Sequence, residues 1–241
     1  MRIIYTSDIH NEFKTRCNHL LDIEPDTDAV LVVAGDINTK GRTVKDLEAV
    51  APNFKAVVAV LGNHDWWGLA LHETHKFHTE VPNVHILRED TVQVEDVLFC
   101  GTTLWHDIAP HMENHWLYTM MDCKRIRAKN YHRLLAHNLV GEHIKAVKFI
   151  DECRNLQGYR KKVLVTHHGL SDKSIAERYK GDVSNIYYSC DRPELLLGFD
   201  WYFHGHMHSA TSYTLNECNV RLSPKGYPGE VMNYQFLSEN I

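Results

Sequence analysis

The chain opens on three runs that are apolar at nearly every position: residues 2–6, 29–34 and 56–61, all short and rich in β-branched side chains. Strict alternation would signal a strand with one wet face. Unbroken apolarity instead predicts strands buried on both faces, as in a layered α/β sheet. Each run stops abruptly in polar residues: Ser7-Asp8-Ile9-His10, then Gly35-Asp36, then Gly62-Asn63-His64-Asp65. Helices are expected between them over residues 15–21 and 43–50, so the first third reads β-α-β-α-β.

The middle changes character. Residues 84–87, 91–94 and 97–102 predict a meander of short strands. Residues 131–155 predict a helix, with Leu134, Leu135, Leu139, Ile144, Val147 and Ile150 near helical spacing and Gly141 weakening or dividing it. The opening pattern then returns. Residues 162–166 stop at His167-His168, and residues 200–203 stop at His204-Gly205-His206-Met207-His208. Strands over 211–215, 220–223 and 231–236 close the chain, and without repeats or linkers the expectation is a single domain over 1–241.

Composition narrows the function classes. With 26 Lys+Arg against 31 Asp+Glu the net charge is −5, which disfavours strong binding of long nucleic acid through phosphate charge. The 18 histidines are the one oddity, and full protonation would reverse that sign. The six cysteines never form a C-x-x-C pair, so zinc ribbons and dense disulfide scaffolds are excluded; buried reduced thiols are the simpler expectation, with disulfides left open. Met1 runs straight into an apolar strand without a basic leader region, and the longest apolar runs are far too short to span a bilayer. The expectation is a soluble cytoplasmic protein, with no membrane partner and an oligomeric state the sequence does not specify.

Five strand ends present Asp, Asn and His side chains, and strand ends are where layered α/β folds place ligand chemistry. Individually these clusters are weak. The ordered set carries weight: Asp8-x-His10, Gly35-Asp36, Gly62-Asn63-His64-Asp65, His167 and Gly205-His206-x-His208. It resembles the signature of the calcineurin-like metallophosphoesterase superfamily. The resemblance implies an α/β fold, a four-layer αββα sandwich of two mixed β-sheets flanked by helices, with a dimetal site at the strand ends. It implies one metal on Asp8, His10 and His208, a second on Asn63, His167 and His206, and Asp36 bridging the two. His64 would sit beside the leaving group as general acid, and Asp65 would orient it or cap the following helix. His168 is the alternative to His167.

The chemistry of the donors agrees. Four imidazoles mixed with oxygen donors suit a divalent transition metal, Mn first and then Fe, Zn, Ni or Co, better than Mg or Ca. Two such ions outweigh the charge of Asp8 and Asp36, and the Asn63 amide oxygen can ligate without spending positive charge. Two metals roughly 3.5–4 Å apart can hold a bridging hydroxide and clamp both oxygens of an in-line displacement. A phosphoester is the natural substrate.

Which phosphoester is less constrained. Gly35-Asp36-Ile37-Asn38-Thr39-Lys40-Gly41 lacks the arginine that Ser/Thr protein phosphatases carry in the matching pattern. The likeness is greatest to small, single-domain bacterial and phage metallophosphatases, through Gly101-Thr-Thr-Leu-Trp105, Thr166-His167-His168, Arg178-Tyr179 and Pro224-Lys225-Gly226-Tyr227. Trp66 or Trp67 could stack a nucleobase, Trp105 could line the same cleft, and Arg178, Lys180 and Lys225 are candidate phosphate contacts. The expectation is a phosphomonoesterase acting on a small phosphate ester such as a nucleotide. The alternatives are a phosphodiesterase or nuclease acting on cyclic or linear nucleotides, or a non-catalytic scaffold. His72, His75 and His78, like His111 and His115, are expected on solvated helix faces.

Overall fold

The computed structural model describes residues 1–13, 18–230 and 234–241. Its strands are β1 (Arg2–Thr6), β2 (Asp26–Ala34), β3 (Phe54–Val60), β4 (Val84–Leu87), β5 (Asp90–Val94), β6 (Val97–Thr102), β7 (Lys161–Thr166), β8 (Trp201–Phe203), β9 (Thr211–Leu215), β10 (Cys218–Leu222) and β11 (Leu237–Asn240). Its α-helices are α1 (Thr43–Val50), α2 (Glu113–Thr119), α3 (Asp122–Arg125) and α4 (Ala136–Arg154). The first sheet has the order β11-β1-β2-β3-β4 and the second β5-β6-β7-β8-β10-β9. The first sheet is parallel except for one antiparallel edge, β11 on β1, and the second has a parallel centre with antiparallel pairings on both sides, β5 on β6 and β9 on β10.

Unbroken apolarity along β2 is explained by its two dry faces. Val30, Val32 and Ala34 point between the sheets and meet Val58, Val60, Phe99, Val163, Val165 and Phe203. Leu31 and Val33 point the other way, onto Leu47 and Val50 of α1. The second sheet repeats the arrangement, with Leu98, Leu164 and Tyr202 packed on Ala146, Ile150 and Cys153 of α4. Helix, sheet, sheet and helix make the four layers. A fully buried Val or Leu contributes roughly 1.5–3 kcal/mol through removal from water, so each sheet is committed to both neighbours.

Several sequence expectations are corrected. The strands over 84–87, 91–94 and 97–102 are not one meander: β4 pairs in parallel with β3 in the first sheet, while β5 and β6 form a hairpin in the second. The chain crosses from the first sheet to the second between β4 and β5, and returns to the first between β10 and β11. Helix α4 starts later than expected and passes Gly141 without a break, because Leu139, His143, Ala146 and Ile150 anchor one continuous buried face. Of the helix expected over 15–21, residues 15–17 lie outside the described residues, and His19–Asp22 is a single 3-10 turn. Of the strand expected over 231–236, residues 231–233 lie outside them; the pairing strand is β11, further on. His72, His75 and His78 do not share a helix, since only a 3-10 turn, Thr74–Phe77, forms there. The five cysteines described are free thiols, with Cys100, Cys123, Cys153 and Cys218 buried. No helix among the described residues is long and apolar enough to cross a membrane.

Candidate metal centre

Strands β1, β2, β3, β7 and β8 deliver their following loops to one edge of the sandwich. There the backbone leaves ordinary conformations. Asp8 (φ 52°), His10 (50°), Asp36 (54°), His206 (72°) and His208 (43°) are all left-handed, a state that costs a non-glycine residue about 1–3 kcal/mol and needs outside support. Support comes from hydrogen bonds between loops. Asp8 N donates to Gly35 O, His10 N to Asp36 O, and Gly205 N to His167 O, each at 3.0 Å. Close approach explains the glycines of the motifs: a Cβ on Gly62 would stand 2.1 Å from Asp36 Oδ1, and one on Gly35 2.4 Å from His167 Nδ1.

The imidazoles are oriented by what their second nitrogens hold. His10 Nδ1 donates to Glu12 Oε1 (2.9 Å), His208 Nδ1 to Glu230 Oε2 (2.7 Å) and His167 Nδ1 to Ala34 O (2.8 Å). That leaves Nε2 of each neutral ring with a lone pair directed inward. His10 Nε2 and His208 Nε2 face each other at 3.2 Å, and His167 Nε2 faces Asn63 Oδ1 at 3.1 Å and Asp36 Oδ1 at 3.4 Å. Acceptors aimed at acceptors require a cation between them, whether a proton or a metal. His206 Nε2 is buried without a partner. Three groups, Asp8-His10-His208, His10-Asp36-His64 and Asp36-His167-His206, each bring their ligating atoms within 4.8 Å of one another. Nitrogen donors held by carboxylates or a carbonyl, mixed with oxygen donors, fit divalent transition metals.

The electrostatics agree. Burial opposes charge on His167, yet Asp36 and Asp8 outweigh it and hold its pKa at about 9. His208 reaches about 9 in the same way, with burial outweighed by Asp8 and Glu230. Burial likewise works against the Asp36 carboxylate, but His167, His64 and His10 keep it well below the usual range. His168 points elsewhere, with Nδ1 3.2 Å from Thr103 O, and burial followed by His106 drives its pKa well down. His167 is therefore the member of the pair turned toward Asn63 and Asp36.

His64 stands beside this cluster. Its Nδ1 donates to Glu12 Oε1 at 2.7 Å, its ring stacks on Trp67 with centroids 3.5 Å apart, and its Nε2 meets the Tyr227 hydroxyl at 3.2 Å. Burial lowers its pKa, but Asp36 and Glu12 overcompensate and the net shift is upward. Asp65 does not touch His64 through a hydrogen bond. It accepts instead from the backbone N–H groups of Asp36, Ile37, Asn38 and Gly62 and from Thr43 Oγ1, clamping two loops together. Burial and the Asp36 charge push its carboxyl up to about 7, against the pull of those donors.

A cavity of about 380 Å³ opens over Asp36, Asn63, His64, His206 and His208 and is walled by Trp67, Tyr179, Tyr188 and Tyr227. Of the expected substrate contacts, Trp67 lines it. Trp66 is turned back onto Phe77 (ring centroids 4.8 Å), Trp105 lies buried beside His168, and neither borders the cavity. The Arg178 guanidinium rests on the Tyr179 ring at 4.8 Å, Lys180 pairs with Glu177, and Lys225 lies over Tyr234. Three participants had no sequence signal of their own, Glu12, Asp122 and Glu230, while Tyr227 stood out only within Pro224-Lys225-Gly226-Tyr227, with no role attached to it. Asp122 Oδ1 accepts from both Asn63 Nδ2 and Trp67 Nε1 at 2.9 Å, which aims the amide oxygen of Asn63 at the cluster.

Two stacked mixed sheets with this constellation at their strand ends define a class, and the chain belongs to it: residues 1–210 match the sequence model of the calcineurin-like phosphoesterase family. It is a metal-dependent phosphoesterase, a hydrolase acting on phosphoric esters. An uncharacterized protein of Acanthamoeba polyphaga mimivirus is 24% identical over 265 residues, covering 97% of this chain and 94% of its own. The fold is shared with the phosphopantetheinyl hydrolase of Mycobacterium tuberculosis (TM-score 0.69, 14% identity, 95% of this chain and 90% of that one). It is also shared with a Staphylococcus aureus protein described as a 5′-nucleotidase (TM-score 0.52, 14% identity), where 94% of this chain spans 49% of the other.

Proposed function

We propose that the whole chain is one catalytic unit with a dinuclear centre, and that it hydrolyses a small phosphomonoester, a nucleotide being the favoured class. The observation that carries this reading is the set of inward lone pairs, with His10 Nε2 and His208 Nε2 only 3.2 Å apart while their Nδ1 atoms are held by carboxylates. Asp8, His10 and His208 would hold one divalent ion, Asn63, His167 and His206 the other, and Asp36 would be shared. Manganese is the favoured ion, and the mixed imidazole and oxygen donor set also accommodates Fe, Zn, Ni or Co. Bound there, the ions supply an activated water and a positive clamp on the phosphoryl oxygens.

The remaining steps belong to the chain. Glu12 fixes the Nδ1 proton of His64, so Nε2 is the nitrogen that delivers a proton to the departing ester oxygen. Asp65 keeps the loops carrying Asp36 and His64 in register. Trp67 covers one face of the His64 ring and excludes water from that side. Tyr179 and Tyr188 offer flat surfaces for an aromatic leaving group, in keeping with a nucleoside.

The test is turnover of nitrophenyl phosphate, its bis-ester and a panel of nucleotides and sugar phosphates, with Mn, Ni, Zn or Fe added in turn. Monoesters are expected to be cleaved in a metal-dependent way, with nucleoside monophosphates ahead of sugar phosphates. Preference for the bis-ester would overturn the monoesterase reading, and metal-replete protein inert toward all of them would overturn catalysis itself.

A further inference from the structure

The segment after β10 folds back across the centre. Lys225 N donates to Ser7 O and Gly226 N to Asp8 O, both at 3.0 Å, which fastens residues 224–226 to the loop carrying Asp8. Glu230 Oε2 accepts from Tyr227 N–H at 2.9 Å as well as from His208 Nδ1–H. The Tyr227 ring is thereby set among His10 (centroids 4.5 Å), His208 (4.7 Å) and Phe13 (5.2 Å). Its hydroxyl ends 3.2 Å from His64 Nε2 and borders the cavity. With Nδ1 committed to Glu12, Nε2 is the face His64 turns toward substrate, and the phenol reaches that same point.

We infer that Tyr227 is a second catalytic residue at the leaving group, its hydroxyl donating a hydrogen bond to the ester oxygen that His64 protonates. The inference rests on the acid role proposed for His64. In the step, the phosphorus–oxygen bond to the alcohol breaks as a water oxygen bonds to phosphorus. The leaving oxygen keeps the electron pair and takes the Nε2 proton of His64. Tyr227 keeps its own proton throughout and lowers the cost of negative charge while the bond stretches. An oxygen within hydrogen-bond reach of both Nε2 and the phenol requires only a small displacement of the hydroxyl, because the two already meet.

The experiment compares wild-type holoenzyme with Tyr227→Phe on nitrophenyl phosphate and on an alkyl phosphate such as glycerol phosphate. Losing one hydrogen bond to a developing anion is expected to lower kcat roughly 10–100-fold on the alkyl ester. The change on the nitrophenyl ester should stay within about threefold, since that leaving group departs with little help. Metal content and the inhibition constant for inorganic phosphate, which has no leaving group, should not change. Equal losses on both esters, no loss on the alkyl ester, or weaker phosphate inhibition would each overturn the assignment. His64→Ala, run alongside, should show the same selectivity for the alkyl ester. If it loses both esters equally, the acid role of His64 fails, and Tyr227 is still decided by its own profile.

Discussion

Glu12 Oε1 serves two imidazoles at once, 2.9 Å from His10 Nδ1 and 2.7 Å from His64 Nδ1. Burial raises the cost of its charge, but the two hydrogen bonds and the charges of the same histidines outweigh it and keep the carboxyl below its ordinary value. A single side chain thus orients one inward nitrogen of the cluster and the nitrogen proposed to meet the leaving group. Glu12→Ala should reduce metal affinity roughly 10–100-fold, the usual cost of losing a partner of a metal-binding histidine, and should lower kcat as well. Metal titration of the variant checks the first effect, and a fall in kcat with affinity unchanged would refute the double role. Asp8, His10, Asp36, Asn63, His64, His167, His206 and His208 were legible because each sits in a short motif at a strand end. Glu12 lies two residues from His10 yet has no pattern that marks it. Tyr227, Glu230 and Asp122 arrive from distant parts of the chain, which no local periodicity reveals.

Among the elements, strands were easier to read than helices. Parallel strands buried on both faces leave an unbroken apolar run, as in β1 and β6, whose expected bounds match, and the edge strands β4 and β9 match theirs as well. The partition of those strands between two sheets was not legible, because β4, β5 and β6 carry the same short-strand pattern while pairing with different partners. Helix α4 was readable by its spacing but not in its continuity. Gly141 sits in its interior with open space where a Cβ would go. Gly141→Ala should therefore stabilise the protein by roughly 0.5–1 kcal/mol through reduced backbone freedom in the unfolded chain. At this chain length that is a rise in Tm of about 1–4 °C, measurable by thermal melting. A lower Tm would mean that the helix depends on bending at that point.

At the scale of the whole molecule, the charge of the centre couples folding to pH. Without metal, His167 and His208 have pKa values of about 9, above the value of about 6.5 for an unfolded histidine. A raised histidine pKa stabilises the fold fully below about pH 6.5, and that contribution is lost as pH climbs through about 9. Cations bound as proposed would take the place of those protons, so alkaline conditions would penalise only the metal-free form. The gap in Tm between manganese-loaded and chelator-treated protein should widen from about pH 6 to about pH 9. A gap that stays constant or narrows over that interval would contradict competition between protons and metal at these rings.

The pairing of β11 with β1 sets an order of events during synthesis. Residues 2–6 are made long before their antiparallel partner, Leu237–Asn240. Four of the seven inward donors, Asp8, His10, Asp36 and Asn63, are translated long before the other three, His167, His206 and His208. An incomplete chain carries a half-built cradle and an unzipped sheet edge. The full donor set therefore comes together only after His208 has been made, and a chain stalled before that residue cannot complete the proposed centre.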